Sequence, residues 1–118
     1  MGDFRDLLVW QKAHLLALHV YELTSDCPAA ERYALRDQIR RAVTSIPANI
    51  AEGSGRQGNR AFAYFLDVAL GSLWELQALM LLARDLKYVE ADSTEDLLEV
   101  CGELGKMISS LATRCRKH

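Results

Sequence analysis

Only two prolines and seven glycines interrupt the 118 residues, and threonine and valine are sparse. Alanine and leucine are abundant instead, a balance that argues against a sheet and for helices. A dominant charge is also missing, since the formal net charge is −2. Such a chain has no global field that would draw it onto phosphates or anionic lipid. Cysteine is scarce: Cys27, Cys101 and Cys115 are odd in number and form no CxxC pair, which excludes a disulfide framework. Cys101 and Cys115 fall in one expected helix, about 21 Å apart at 1.5 Å per residue, too far to bond. Reduced cysteines point to the cytoplasm. No basic segment precedes an apolar run at the start, so no signal peptide is expected. The length suits a single domain with a real core, taken as residues 1–118.

Familiar chemistry is absent as well. His14 and His19 stand about 140° apart on a helix and cannot share a metal. No Glu-x-x-His pair offers a di-iron site. The GSGRQG segment follows a helix and lacks the Gly-Lys-Ser/Thr ending of a phosphate loop. Cys101 reads as a small core residue rather than a nucleophile. No cofactor, metal or enzymatic activity is therefore expected.

What is present is helical periodicity, in four segments. Residues 7–25 place Val9, Trp10, Ala13, Leu16, Ala17, Val20 and Leu23 on one face. Asp3 or Asp6 would cap the start, and Cys27-Pro28 ends the run. Residues 30–53 carry Leu35, Ile39, Val43, Ile46 and Ile50, three or four residues apart. Gly53 and Gly55 would close that helix in the left-handed conformation. Residues 60–88 are apolar almost all round, with only Asp67, Glu75 and Gln77 strongly polar between Ala61 and Ala83. Two carboxylates make a membrane span costly, so the excess apolar surface reads as a subunit interface. Residues 94–116 begin with Ser93 and Asp96 in capping-box positions. They carry a stripe of Leu97, Val100 or Cys101, Leu104, Ile108 and Leu111. Acids crowd the first turns, and Arg114, Arg116 and Lys117 the last, complementing the helix dipole. The expected fold is all-α, an antiparallel up-down four-helix bundle.

The segment SIPANIAEGSGR, residues 45–56, is the one unusual motif. Pro47 inside a helix costs about 3 kcal/mol, yet the core spacing runs straight through it. A continuous helix kinked at Pro47 is expected. A polar line, Arg41, Ser45, Asn49, Glu52 and Arg56, lies about 135° round from the core stripe. It reads either as a solvated face with an Arg56–Glu52 pair or as a polar interface. Asp67, Gly71 and Glu75 form a second line on the third helix. Gly71-Ser72 in mid-helix implies close approach of another backbone, since glycine there costs about 1 kcal/mol against alanine. Each carboxylate is expected to meet an arginine from a neighbouring helix or subunit.

The stretches DLLVWQKAHLLALHVYELT, ERYALRDQIRRAVTSIPANIAEGSGR and FLDVALGSLWELQALMLLARDLKYV carry a resemblance. The chain resembles the 23S rRNA intervening-sequence protein family of four-helix-bundle proteins over about residues 6–89. Cys27 and Ala34 depart from the family's usual aromatic and glycine. The resemblance implies a ring of five, bacterial cytosolic origin and no established biochemical activity. It also implies that Arg41, Asn49, Glu52, Gly53 and Arg56, with Gly71, Ser72 and Glu75, form one functional or assembly surface. Ser45 and Asp67 lie on the same lines. The family is similar in turn to retroelement accessory proteins, which are basic and bind nucleic acid and a reverse transcriptase; this chain is mildly acidic.

The function expected is a non-enzymatic homopentameric scaffold or adaptor. The alternative is an RNA- or DNA-associated module using Arg32, Arg36 and Arg40 of the second helix, with Arg60 nearby. No aromatic is interleaved with those arginines, which removes base stacking. The expected partners are further copies of the chain, with nucleic acid or another protein as alternatives, and no membrane.

Overall fold

The structure, a computed structural model, describes residues 3–117, with the backbone alone for residues 31–33. Four α-helices form it: α1 (Leu8–Leu23), α2 (Asp37–Ser54), α3 (Asn59–Asp85) and α4 (Ala91–Lys117). No strand occurs among the described residues. At 1.5 Å per residue α3 and α4 are each about 40 Å long, which matches the longest extent of 46 Å.

Each helix packs on its chain neighbours, and α1 closes against α4. Contacts at the helix ends give their directions. Arg40, near the start of α2, donates to the Tyr21 carbonyl at the end of α1. Arg84, late in α3, pairs with Glu95, early in α4, whereas Asp67 and Arg116 meet at the opposite end. Those two ion pairs run α3 and α4 antiparallel.

The periodic apolar residues make one core. Leu16, Val20, Ile39, Val43, Ile46, Ile50, Leu66, Leu73, Leu76, Met80, Leu97, Leu104 and Ile108 are all buried. Each large aliphatic side chain so buried contributes on the order of 1.5–3 kcal/mol. On α4 the buried residue is Cys101 rather than Val100. Burial pushes the Cys101 thiol up to about 12, which leaves it inert. On α3 the core positions mix leucine and methionine with alanine, and the small Ala63, Ala69 and Ala83 leave room for neighbouring helices. The helix α2 runs unbroken through Pro47.

Four boundaries differ from the sequence reading. Asp3 caps a short 3-10 turn, Phe4–Asp6, instead of α1, which starts at Leu8 without a side-chain cap. Hydrogen bonds from Arg5 hold the Asp3 carboxyl down to about 2. Residues expected to open the second helix form a 3-10 turn, Ala29–Glu31, and a π segment, Arg32–Arg36. The third helix stops at Asp85 because Lys87 turns left-handed, φ 66°. The amides of Lys87 and Tyr88 then bond the Arg84 and Ala83 carbonyls, both at 2.9 Å, in the pairing of a Schellman closure. The fourth helix begins at Ala91, three residues before the expected start at residue 94. Ser93 lies inside it and donates to the Glu90 carboxylate.

The glycines expected to close α2 act differently. Gly55 has a right-handed φ of −85°. Gly53 is buried within the helix, where an added Cβ would stand 2.6 Å from Phe65 Cβ and 3.0 Å from a Phe62 ring carbon. The tight approach of α3, not a turn, is what needs glycine there. The left-handed glycine is Gly58, φ 91°, just before α3.

Candidate functional site

The polar line of α2 meets α3 along one strip. Half-buried Ser45 shares a 2.5 Å hydrogen bond with Ser72 of α3. Asn49 Nδ2 donates to the Ser45 carbonyl at 2.7 Å and to its hydroxyl at 3.2 Å. The amide thereby covers backbone one turn before it, next to Pro47. One turn on, Glu52 and Arg56 form an ion pair at 2.5 Å. The Arg56 guanidinium also lies over the Phe65 ring, 5.2 Å from its centroid. Ser45, Asn49, Glu52, Gly53, Arg56 and Ser72 therefore gather on the α2–α3 seam. Arg41, at the head of the same line, is exposed.

The second line separates. Asp67 turns towards α4 and takes both oxygens to Arg116, at 3.2 and 2.9 Å. Gly71 and Glu75 face outward and are exposed. A Cβ at Gly71 would meet nothing within 4 Å, so within the chain no backbone approaches it, contrary to the expectation. Positions four apart advance 40° round a helix. Asp67 and Glu75 consequently end about 80° apart and serve different surfaces.

Of the four arginines proposed for nucleic acid, three have described side chains. The Arg32 side chain lies outside the described residues. Arg36 is half-buried, with its Nε buried and without a hydrogen-bond partner. Arg40 donates to Thr24 Oγ1 at 3.1 Å and to the Tyr21 carbonyl at 3.0 Å, with its guanidinium 4.3 Å from the Tyr21 ring centroid. It ties α1 to α2. Arg60 is exposed at the far end, beside Tyr64 and Arg116. Arg36 belongs to the π segment Arg32–Arg36, outside the α-helical repeat that carries Arg40.

Among the described residues no group of His, Cys, Asp or Glu could hold a metal ion. Sequence reasoning missed Phe62 and Phe65, which shape the strip around Gly53. Nothing in their spacing marks them, because they act on a residue of another helix. It also missed that Trp74 and three cations of α4 line one groove, since they lie on separate segments.

The fold and this seam define a class: an all-α four-helix protein whose polar residues brace helix against helix. Residues 5–110 match the 23S rRNA-intervening sequence protein family, and the chain belongs to that family. Among solved structures, a protein of unknown function from the S23 ribosomal protein family of Bacteroides thetaiotaomicron superposes with a TM-score of 0.79. The two are 24% identical, over 89% of this chain and 98% of that one, a likeness of fold. Comparison with curated proteins finds no match. Neither the family nor the structural match points to an enzymatic activity.

Proposed function

We propose that the chain is a non-enzymatic scaffold or adaptor that assembles with copies of itself. The observation that carries this reading is the outer face of α3. Tyr64, Val68, Gly71, Glu75, Ala78 and Leu82 recur at alternating steps of four and three residues, and all are exposed. That is the spacing of a helix–helix seam, placed on the side away from the chain's own core. The bare Cβ position at Gly71 leaves room for a neighbouring backbone. A second apolar strip lies on α1, where Leu8, Leu15 and Leu18 are exposed by 72%, 63% and 56%.

In the bundle α1 and α3 occupy diagonal positions, each between α2 and α4. Two different strips on two sides of one subunit favour a head-to-tail contact, which closes into a ring rather than a two-fold dimer. Five copies agree with the resemblance. By length and composition α3 could also cross a membrane; Asp67 and Glu75 inside that span favour a protein neighbour over lipid. Three buried, unpaired cysteines support a reducing, cytoplasmic setting. For the alternative through Arg32, Arg36, Arg40 and Arg60, Arg40 is engaged with α1, Arg36 is half-buried and Arg60 is exposed.

Light scattering tests the assembly. The expected wild-type mass is about 66 kDa, five copies of 13.2 kDa. Gly71→Arg and Glu75→Ala should lower that mass while leaving the helical circular dichroism unchanged. A wild-type monomer at micromolar concentration would overturn the reading.

A further inference from the structure

A groove of about 730 Å³ runs between α3 and α4. Its floor is low because Gly102 and Gly105 put no side chain there. Trp74 forms one wall and is 62% exposed, a large aromatic surface left in water. Lys106, Arg114 and Lys117 line the groove, and no carboxylate does. That segregation is informative in a chain with 16 acidic and 14 basic residues. The three cations, all on α4, have no ion-pair partner among the described residues; Arg41, Arg60 and Lys87 share that state elsewhere on the surface, but none of them lines the groove. The hydroxyls of Ser109 and Thr113 lie between them. Helix-dipole compensation accounts for Arg114 and Lys117 in the last turn. It does not account for Lys106 in mid-helix, for the missing carboxylates, or for Trp74.

We propose that this groove binds single-stranded nucleic acid, with a base stacked on Trp74 and phosphates held by Lys106, Arg114 and Lys117. An exposed aromatic beside unpaired cations is the combination that holds single strands without sequence preference. The glycine floor gives a flat base room to reach the indole. From Gly102 to Lys117 the groove edge extends about 22 Å along α4, enough for a short run of nucleotides. Every residue belongs to one chain, so the proposal stands independently of the assembly. Trp74 lies about 80° round α3 from the mean direction of the outward seam and borders it at Gly71 and Ala78.

Fluorescence anisotropy of a labelled single-stranded RNA of about 15 nucleotides tests this. The expected result is salt-dependent binding in the micromolar range. Trp74→Ala should weaken it roughly 5- to 100-fold, with Trp74→Phe retaining most of the affinity. Lys106→Ala with Arg114→Ala should reduce the slope of log affinity against log salt by about 1.4. Thermal melts monitored by circular dichroism confirm that these exposed substitutions leave the fold intact. Absence of binding at protein concentrations on the order of tens of micromolar would overturn the proposal. So would equal competition by polyglutamate of the same charge, which would make the groove a site for acidic peptide. Binding unchanged by Trp74→Ala but lost in Arg41→Ala with Arg60→Ala would overturn it too.

Discussion

The two faces of α3 are both apolar, and they have opposite fates. The inner face, with Leu66, Leu73, Leu76 and Met80, is fully buried among the other three helices. The outer face, with Tyr64 at 63% and Leu82 at 48% exposure, is left in water. Two helical glycines, Gly53 and Gly71, divide the same way. Gly53 is closed in by Phe65, while Gly71 faces open space. Hydrophobicity and glycine content alone do not separate a core from an interface. The separation comes from which positions the chain itself can cover.

Substitutions on the two faces give the sharpest contrast. Leu73→Ala should lower the unfolding free energy by about 2–5 kcal/mol, from lost burial plus a cavity. Val68→Ala should change it by no more than about 0.5 kcal/mol at concentrations where the chain is a monomer. Urea denaturation read by circular dichroism decides this, and equal losses would erase the distinction between the faces.

The glycines come next. Gly53→Ala should destabilise by about 1–3 kcal/mol, because α2 and α3 must move apart to admit the methyl group. Gly71→Ala should leave stability unchanged or raise it by up to about 1 kcal/mol through helix propensity. Thermal melts of both variants measure the difference, and a reversed order would refute the assignment of Gly53 to the tight contact.

Smaller effects lie on the polar seam. Ser72→Ala removes the hydrogen bond to Ser45 and should cost about 1 kcal/mol. Asp67→Asn breaks the pair with Arg116, whose side chains are 55% and 51% exposed. That loss should stay within about 0.5 kcal/mol and fade at high salt. A larger, salt-insensitive loss would place Asp67 in a buried contact instead.

Much of the fold is legible in the residue pattern. The stripe of Leu35, Ile39, Val43, Ile46 and Ile50 is buried as its spacing requires, including across Pro47. The ends of the helices are less legible, for a local reason each time. Lys87 closes α3 in a conformation usually given to glycine, so no residue type announces it. Glu90 precedes α4 and accepts from Ser93, which displaces the expected roles within the cap by one turn. Of the candidate site, Ser45, Asn49 and Glu52 share a face of α2, since an α-helix maps such spacing directly onto one side, and Arg56, just past its end, reaches back to Glu52. Ser72 joins them, while Asp67 and Glu75 part, because α3 contacts different helices along its length. Arg36 sits in a π segment and Arg40 in α2, so the i, i+4 repeat does not carry across the boundary between them.

The helices and their inward faces follow from the sequence without further help. They depend on residues close together in the chain, where 3.6-residue periodicity and propensity operate. Packing in three dimensions settles the rest: which glycine is enclosed, which arginines are engaged, and that Trp74 stands beside Lys106, Arg114 and Lys117. Those outcomes depend on the relative rotation of packed helices. That rotation is set by interlocking side chains from distant segments, and no local pattern encodes it.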